Sequence, residues 1–276
     1  VFQPISQVVV DSQSSYLKFH AIRSVTALGK SELKAPPHET WHDFHPAHIM
    51  SVLFDTIASD YDAWYDQPVG RVILAGELDC LRRLDGTCHG RWLEVGVGSG
   101  RFAAGLGIGE GIDPAANMLQ IAARRGVRTH LGTADNLPFP DGSFDGVLLA
   151  LTLCFIEDPA AALRECRRVL AEKGVLLVGI VPADSPWGRL YARKKAEGHR
   201  IYTSATFRTV QETVDLIEAA GFRLRNAAST FLWDPDEPAE SPPRVEDGAD
   251  PRADFVALAF AVHTTTRSDA RSVDFQ

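Results

Sequence analysis

Short apolar runs alternate with segments of helical periodicity over much of the chain. Near-continuous apolar runs of this length are typical of strands that are buried on both faces of a parallel sheet. The predicted strands are RWLEV (91–95), GIGEGIDP (107–114), GVRTHLG (126–132), FDGVLLAL (144–151), GVLLVGIV (174–181) and ADFVALAFAVHT (253–264).

The segments between these runs carry the start and stop signals of helices. The predicted helices are DPAANMLQIAARRG (113–126), EDPAAALRECRRVLAEKG (157–174) and TVQETVDLIEAAG (209–221). Asp113 is the expected cap of the first helix, Asp158 begins the second and Gly174 ends it, and Thr209 with Glu212 forms a capping box on the third. Strands alternating with helices predict an α/β fold, a doubly wound parallel sheet with helices on both faces.

The regular pattern begins near Met50. We expect one domain over residues 50–265, a disordered or non-native extension over 1–49, and a flexible tail over 266–276. The stretch 234–252 is rich in proline and acidic residues and is predicted to be a surface loop. The extension contains His38, His42, His45 and His48, but a solvated segment is favoured over a metal site because no cysteine or carboxylate set accompanies them.

Composition narrows the function. The 276 residues carry a formal net charge of −8, which argues against a broad nucleic-acid-binding face. The four cysteines have no C-x-x-C spacing and fit a reducing compartment, so a cytoplasmic location is expected. The longest apolar run is too short to span a bilayer, and no membrane association is expected.

Three glycines follow the first predicted strand in LEVGVGSG (93–100). In α/β sheets, ligands bind beyond the carboxyl ends of strands, and Gly96, Gly98 and Gly100 lack the β-carbons that would keep a ligand away from the main chain. A tight strand-to-helix turn is the alternative. The G-x-G-x-G spacing is one residue short of the dinucleotide fingerprint, and there is no P-loop.

Two acidic residues refine the ligand. Glu94 precedes Gly96 by two residues, where a carboxylate would repel a pyrophosphate but suit an ammonium group. Asp113, at the end of the next strand, can accept both hydroxyls of a ribose, and a helix-capping role is compatible with that. An adenosine joined to an amino acid and a sulfonium therefore fits better than NAD or ATP.

Several ordered segments resemble the class I S-adenosylmethionine-dependent methyltransferases, of the type 11 or ubiquinone/menaquinone-methyltransferase-like family. They are LEVGVGSG, GIDPAANML, GTADNLPFPDGSFDGVLLALTLCFIEDP, ALRECRRVLAEKGVLLVGIVP and TFRTVQETVDLIEAAGF. The resemblance implies a Rossmann-like sheet of seven strands, mostly parallel with an antiparallel last strand. It implies an enzyme that uses S-adenosylmethionine, releases S-adenosylhomocysteine, methylates a small molecule, and is a monomer or homodimer.

The same resemblance implies a set of cofactor-binding residues. Residues 133–137 correspond to the adenine segment, where Asp135 or the main chain would contact the adenine amino group. Tyr61 lies on the expected lid helix, FDTIASDYDAWYD (54–66), and simple packing is the alternative for it. The full set is Tyr61, Glu94, Gly96, Gly98, Gly100, Asp113, Pro114, Met118, Thr133, Ala134, Asp135, Asn136, Leu137, Ala150 and Leu151.

The acceptor side is less defined. LTLCF (151–155) replaces the Asn/Asp-Pro-Pro-Tyr motif of nucleic-acid amino methyltransferases, so no nucleic-acid substrate is expected. Candidate acceptor-pocket residues are Cys154, Phe155, Tyr191, Lys195, Tyr202 and Trp233. Cys154 is more typical of a buried apolar residue than of a nucleophile, and the basic segment 189–200 is more typical of a solvated helix face than of an anion-steering one.

No catalytic residue can be assigned. Methyl transfer requires position more than acid–base chemistry, and no Ser-His-Asp order or H-E-x-x-H motif is present. Two alternatives stay open at this point: a non-catalytic, regulatory cofactor-binding module of the same fold, and an NAD-dependent oxidoreductase, which the glycine spacing disfavours.

Overall fold

The predicted strands form a single mixed sheet in the computed structural model, which describes residues 46–84, 88–235 and 243–263. In chain order the strands are β1 (Trp92–Val95), β2 (Glu110–Asp113), β3 (Arg128–Leu131), β4 (Phe144–Ala150), β5 (Leu170–Ile180), β6 (Phe222–Phe231), β7 (Arg244–Asp247) and β8 (Phe255–Val262). Their order across the sheet is β3-β2-β1-β4-β5-β8-β6-β7. Strands β1 to β5 are parallel, and β8 is antiparallel to both β5 and β6.

Helices cover both faces of this sheet. They are α1 (Pro46–Trp64), α2 (Pro68–Arg82), α3 (Arg101–Leu106), α4 (Ala116–Arg124), α5 (Pro159–Val169), α6 (Pro186–Ala196) and α7 (Val210–Ala219). Strand β4 shows how the faces divide: Val147 and Leu149 belong to a core shared with α5 and α7, whereas Leu148 and Ala150 belong to a core shared with α2, α3 and α4. The prediction of a doubly wound α/β sheet is confirmed.

The strand order places a ligand crevice at β1. Leu93 of β1 pairs with Glu110 of β2 on one side and with Val147 of β4 on the other. Strands β2 and β3 therefore lie on one side of β1, and β4 and β5 lie on the other side. Crevices of doubly wound sheets form where the strand order reverses in this way, beyond the carboxyl ends of the strands. The glycine loop follows β1 at this point.

The sheet has eight strands instead of the expected seven, because β7 lies in the stretch predicted to be a loop. Its four residues pair antiparallel with Ala228–Phe231 of β6, and the Arg244 guanidinium lies 4.4 Å from the centre of the Phe231 ring. An edge strand bonds to only one neighbour and can be polar, so the polar sequence RVED gave no strand signal. The antiparallel placement of the last strand, β8, agrees with expectation.

Two helix boundaries differ from the predictions. Helix α4 begins at Ala116 after an uncapped Ala115, so the expected capping role of Asp113 is wrong; Asp113 instead ends β2. Helix α5 ends at Val169, well before Gly174, because Leu170 already pairs with Phe144 in the sheet. The Asp158 cap and the Thr209–Glu212 capping box are confirmed.

Some predictions lie partly outside the described residues. Helix α1 begins at Pro46, four residues before the expected start of the domain. Residues 1–45, including His38, His42 and His45, and the predicted tail 266–276 lie outside the described part of the chain, as does the side chain of His48. Within the described ranges, no group of three or more His, Cys, Asp or Glu residues could hold a metal ion. No described helix combines the length and apolarity needed to cross a bilayer.

Candidate functional site

The glycine loop after β1 is held in a conformation that favours glycine. Gly96, Gly98 and Gly100 have φ values of +74°, +50° and +79°. A β-carbon on Gly96 would lie 2.2 Å from Thr152 Cγ2, whereas one on Gly98 would meet no atom within 4 Å. Gly96 is therefore needed for packing against the end of β4, and Gly98 borders open space that a ligand can enter.

Asp113 ties the end of β2 to this loop. Its Oδ2 accepts a hydrogen bond from Gly98 N at 2.9 Å, and its Oδ1 accepts one from Ala115 N at 2.9 Å. The residue is 9% exposed, and this burial raises its pKa despite the two main-chain donors. Each carboxylate oxygen keeps a further acceptor direction, so the group can still receive hydroxyl donors.

Glu94 is a second buried acid beside the loop. It lies within β1, is 1% exposed, and its Oε2 has no hydrogen-bond partner among the described residues. Burial raises its pKa well above the ordinary value, and the nearby Asp113 carboxylate raises it further. A buried carboxyl oxygen without a partner is costly, and a ligand cation or N–H donor would satisfy it.

Helix α1 is fastened across the loop by an ion-pair cluster that the sequence analysis missed. Asp62 accepts from Arg101 Nε at 2.7 Å and from Arg125 at 2.8 Å, and Arg125 also donates to Ser99 O at 2.9 Å. Burial opposes the ionisation of Asp62, but the two guanidinium groups outweigh it and hold its pKa below the ordinary value. Two turns earlier in α1, the Asp55 carboxylate accepts a hydrogen bond from Asn117 N at 2.7 Å.

Tyr61 and Met118 meet beneath α1. Met118 is 1% exposed in a small core with Ala58, Ala115 and Ile121, and Tyr61 packs against that core. The Tyr61 hydroxyl lies 3.4 Å from that of Tyr65, and burial raises the pKa of Tyr61 to about 12. Tyr61 therefore has a packing role, as the alternative interpretation expected. A role beside the cofactor stays a prediction.

The segment after β3 is anchored at both ends, and Gly132 N donates to Asp113 O at 3.2 Å at its start. Leu137 is buried, and its N donates to Glu165 Oε2 at 2.9 Å, while Arg168 donates to Leu137 O at 2.9 Å. Asp135 and Asn136 are exposed, as is Pro114, and Thr133 and Ala134 are half-buried. The exposed side chains of Asp135 and Asn136 and their main chain are therefore available to a planar ligand, while Leu137 fixes the end of the segment.

The end of β4 is strained. Leu151 has φ +55° and is the one described non-glycine residue with positive φ. Its N donates to Gly179 O at 2.9 Å, and the Thr152 hydroxyl donates to Ala150 O at 3.0 Å. Such a conformation costs on the order of 1–3 kcal/mol and is typical of functional sites.

Aromatic rings from four segments meet beyond β4 and β5. Tyr191 stacks on Tyr202 at 4.6 Å between centroids, Phe155 contacts Phe54 at 5.4 Å, and Trp233 contacts Trp187 at 6.4 Å. We call the set Phe54, Tyr61, Tyr65, Phe155, Tyr191 and Tyr202 the aromatic wall. A small cleft of about 30 Å³ lies beside it, bordered by Leu151, Cys154, Phe207 and Arg208.

The other two acceptor candidates have structural roles. Burial raises the pKa of the Cys154 thiol to about 12, so it is protonated at neutral pH and is not an activated nucleophile. Lys195 donates to Ala205 O at 2.6 Å and fixes the turn that carries Tyr202.

Glu77 is a further residue that the sequence analysis missed. It lies on the buried face of α2, is 4% exposed, and its Oε2 has no hydrogen-bond partner in the described part of the chain. Burial alone raises its pKa to about 8. Its position three and four residues from the buried Ile73, Cys80 and Leu81 was a readable signal, because a lone acid on an apolar helix face is unusual.

Comparisons with known proteins show the family of this chain. The profile of a family described as "Methyltransferase domain" matches residues 93–178, which contain the glycine loop, Asp113 and β4. The crystal structure of an SAM-dependent methyltransferase, possible histamine N-methyltransferase, from Thermotoga maritima superposes with a TM-score of 0.70 at 37% identity, over 79% of this chain and 99% of that one. The chain belongs to the S-adenosylmethionine-dependent methyltransferases.

Other relatives cover much of the methyltransferase. An uncharacterised protein of Mycobacterium tuberculosis is 42% identical over 202 residues, 73% of this chain and 71% of its own length. A demethylmenaquinone methyltransferase of Lactiplantibacillus plantarum is 28% identical over 215 residues, 64% of this chain and 88% of its own length. The family uses S-adenosylmethionine, which rules out the NAD-dependent alternative.

The chemistry of the site fits this cofactor. S-adenosylmethionine carries one ammonium group, one sulfonium and one ribose diol. The methyltransferase offers a buried carboxyl without a partner at Glu94, an acidic strand end at Asp113, and open space at Gly98. Two carboxyl groups beside a glycine loop suit a cationic nucleoside and not a pyrophosphate.

Proposed function

We propose that this methyltransferase transfers the methyl group of S-adenosylmethionine to a small-molecule acceptor by in-line displacement. The observation that carries the proposal is the aromatic wall, which offers stacked and edge-to-face rings beyond β4 for an organic acceptor. The cofactor, when bound, supplies an electrophilic methyl group on a sulfonium.

The proposed cofactor site is the predicted set of residues. Glu94 would receive the ammonium group, Gly96–Gly100 would border the methionine part, and Asp113 would accept the ribose hydroxyls. Residues 133–137 would border the adenine, with Pro114 and Met118 on its other side. Tyr61, Ala150 and Leu151 would lie toward the sulfur. The open space at Gly98 and the partnerless Glu94 oxygen support this assignment.

The protein's contribution is to hold the two reactants in line and keep water away. Aligning a nucleophile with its target can supply about 7–11 kcal/mol. The ion pairs of Asp62 hold α1 over the glycine loop. Leu151, with its positive φ, would lie between the cofactor and the acceptor. A proton acceptor is needed only for an acceptor that binds in its protonated form.

Names of similar proteins support a small acceptor. The Thermotoga protein is described as a possible histamine N-methyltransferase, and the Lactiplantibacillus protein methylates demethylmenaquinone by name. The net charge of −8 is unfavourable for a nucleic-acid substrate.

The test has two steps. Calorimetric titration with S-adenosylmethionine, S-adenosylhomocysteine and NADH should give binding of the first two alone. Release of S-adenosylhomocysteine is then measured with a panel of phenols, quinols, amines and thiols. Release above the acceptor-free rate with one class identifies the reaction. Tight cofactor binding with no release from any compound would favour the non-catalytic module instead.

A further inference from the structure

The buried face of α2 holds a carboxyl group that the cofactor site does not use. Glu77 is 4% exposed, and its Oε2 has no hydrogen-bond partner among the described residues. Gly70, Ile73 and Cys80 share this face and are apolar or small. An unsatisfied buried carboxyl destabilises the free protein, so its presence calls for a partner that arrives with a ligand.

Glu77 faces part of the aromatic wall. Its charge acts on the phenol groups of Tyr61, Tyr65 and Tyr191, adding to the larger effect of burial in raising their pKa values. Tyr61 and Tyr65 come from α1 and the turn after it, and Tyr191 comes from α6, so three segments converge on one carboxyl.

Basic side chains lie near these rings, but Glu77 Oε2 has no partner among them in the described part of the chain. Burial raises the pKa of Glu77 to about 8. The Arg101 guanidinium lies 5.4 Å from the Tyr65 ring centre but is paired with Asp62 and Asp66. Lys194 Nζ lies 5.8 Å from the ring centre of Tyr202 and 5.9 Å from that of Tyr191, and it has its own contacts there. The Glu77 carboxyl, once it ionises beside a bound cation, is the complement of an organic cation, which gains an ion pair and cation–π contacts together.

We propose that Glu77 and the tyrosines around it bind the ammonium group of an amine acceptor. This inference rests on the proposed function and names the substrate class of that same site. Glu94, on β1 beside the glycine loop, is the separate carboxyl that faces the cofactor's own ammonium group. Two partnerless buried acids, on β1 and on α2, thus match two cations that bind together.

Glu77 also serves as the proton acceptor that such a substrate needs. Methylation requires the nitrogen lone pair, and an alkylamine is protonated at neutral pH. The N–H bond breaks and leaves its electron pair on nitrogen, the proton forms an O–H bond on Glu77, and the carboxylate becomes a neutral acid. After the product leaves, the acid returns the proton to water. A carboxyl whose pKa burial raises to about 8 is suited to exchange protons near neutral pH.

The test is calorimetry on the full chain saturated with S-adenosylhomocysteine. The probes are 2-phenylethylamine, tyramine and histamine, with 2-phenylethanol and tyrosol as neutral analogues of the first two. We expect 2-phenylethylamine or tyramine to bind and its alcohol analogue to bind at least about tenfold more weakly. Glu77→Gln should weaken amine binding by at least about tenfold, leave alcohol binding unchanged, and Glu77→Asp should restore part of the loss.

Cofactor affinity provides the control. Glu77→Gln should bind S-adenosylmethionine and S-adenosylhomocysteine within about twofold of the native chain, whereas Glu94→Gln should weaken both. A loss of affinity for S-adenosylmethionine alone in Glu77→Gln would assign Glu77 to the sulfonium and overturn the proposal. Binding of cofactor but of none of the amines, or equal binding of amine and alcohol, would overturn it and leave the proposed function standing. Absence of cofactor binding in the native chain would overturn both.

Discussion

At the scale of single residues, three buried carboxyl groups belong to the proposed cofactor and acceptor sites. Asp113 is satisfied by two main-chain donors, whereas Glu94 and Glu77 each keep an oxygen without a partner in the described structure. Glu94 and Asp113 were readable from the sequence because the glycine loop marks the strand ends. Glu77 carries no motif, and only its place on an apolar helix face distinguishes it.

Asp113→Ala should weaken binding of S-adenosylmethionine by about 1.5–3 kcal/mol, because it removes a charged acceptor for the ribose hydroxyls. Calorimetric titration measures the change. Asp215→Ala, which removes an exposed carboxylate on α7, is the control and should leave the affinity unchanged. Unaltered affinity in a folded Asp113→Ala protein would remove Asp113 from the cofactor site.

Glu77 should make the stability of the free methyltransferase dependent on pH. Its pKa rises on folding from 4.5 to about 8, so the neutral acid is favoured in the fold. The stability it contributes is present below about pH 4.5 and is lost as the pH rises through about 8, a change on the order of 3–5 kcal/mol. The other titratable groups facing it, Tyr61, Tyr65, Tyr191 and Cys80, have pKa values raised above their ordinary range and stay neutral over this interval.

Urea unfolding of the native chain and of Glu77→Gln at several pH values measures this effect. The stability of the variant relative to the native chain should increase from pH 5 to pH 8.5. Glu172→Gln, at an exposed position on β5, should show no such trend. A pH-independent difference for Glu77→Gln would mean that Glu77 is solvated or paired in solution.

At the scale of elements, helix α1 depends on the ion pairs of Asp62 with Arg101 and Arg125. These residues are distant in sequence, and no local pattern links them, so the sequence predicted a lid helix without its fastening. The edge strand β7 was not predicted for a related reason. It is held by pairing with β6, which is distant in sequence, and it has no apolar pattern of its own.

Asp62→Asn should destabilise the protein by about 1–3 kcal/mol at pH 7, between the values for exposed and buried pairs. Because the fold holds the Asp62 pKa below its ordinary 3.8, this stability is present above pH 3.8 and is lost as the pH falls through the lower folded value. Urea unfolding at pH 7 and near pH 3 should show the difference shrinking. Asp79→Asn removes an exposed pair with Arg82 and should cost less than about 0.5 kcal/mol.

At the scale of the whole molecule, the doubly wound sheet and its two cores follow from patterns that the sequence displays. Runs such as Val147–Ala150 are apolar throughout because both faces are covered, and this signal is strong. The aromatic wall was only partly foreseen: Phe155, Tyr191 and Tyr202 were candidates, but their meeting with Phe54 and Tyr65 depends on how α1 and α6 close over the sheet. Local periodicity does not predict contacts between elements that are distant in sequence.

Deletion of residues 1–45 should leave cofactor binding intact, because α1 and every proposed site residue lie beyond it. Deletion of residues 1–64 removes α1, Tyr61 and Asp62, and should abolish tight binding even if the sheet folds. Circular dichroism and calorimetric titration on both truncated chains distinguish the outcomes. Loss of binding in the shorter deletion would place part of the site before Pro46.

The position of β8 has a consequence for biosynthesis. This strand is enclosed between β5 and β6, although it is the last of the described strands along the chain. While the polypeptide is still emerging from the ribosome, the two halves of the sheet have no shared neighbour, and the facing edges of β5 and β6 stay open. A nascent chain that stalls before residue 262 therefore presents two unpaired apolar edges, the kind of surface that chaperones recognise and that aggregates form upon.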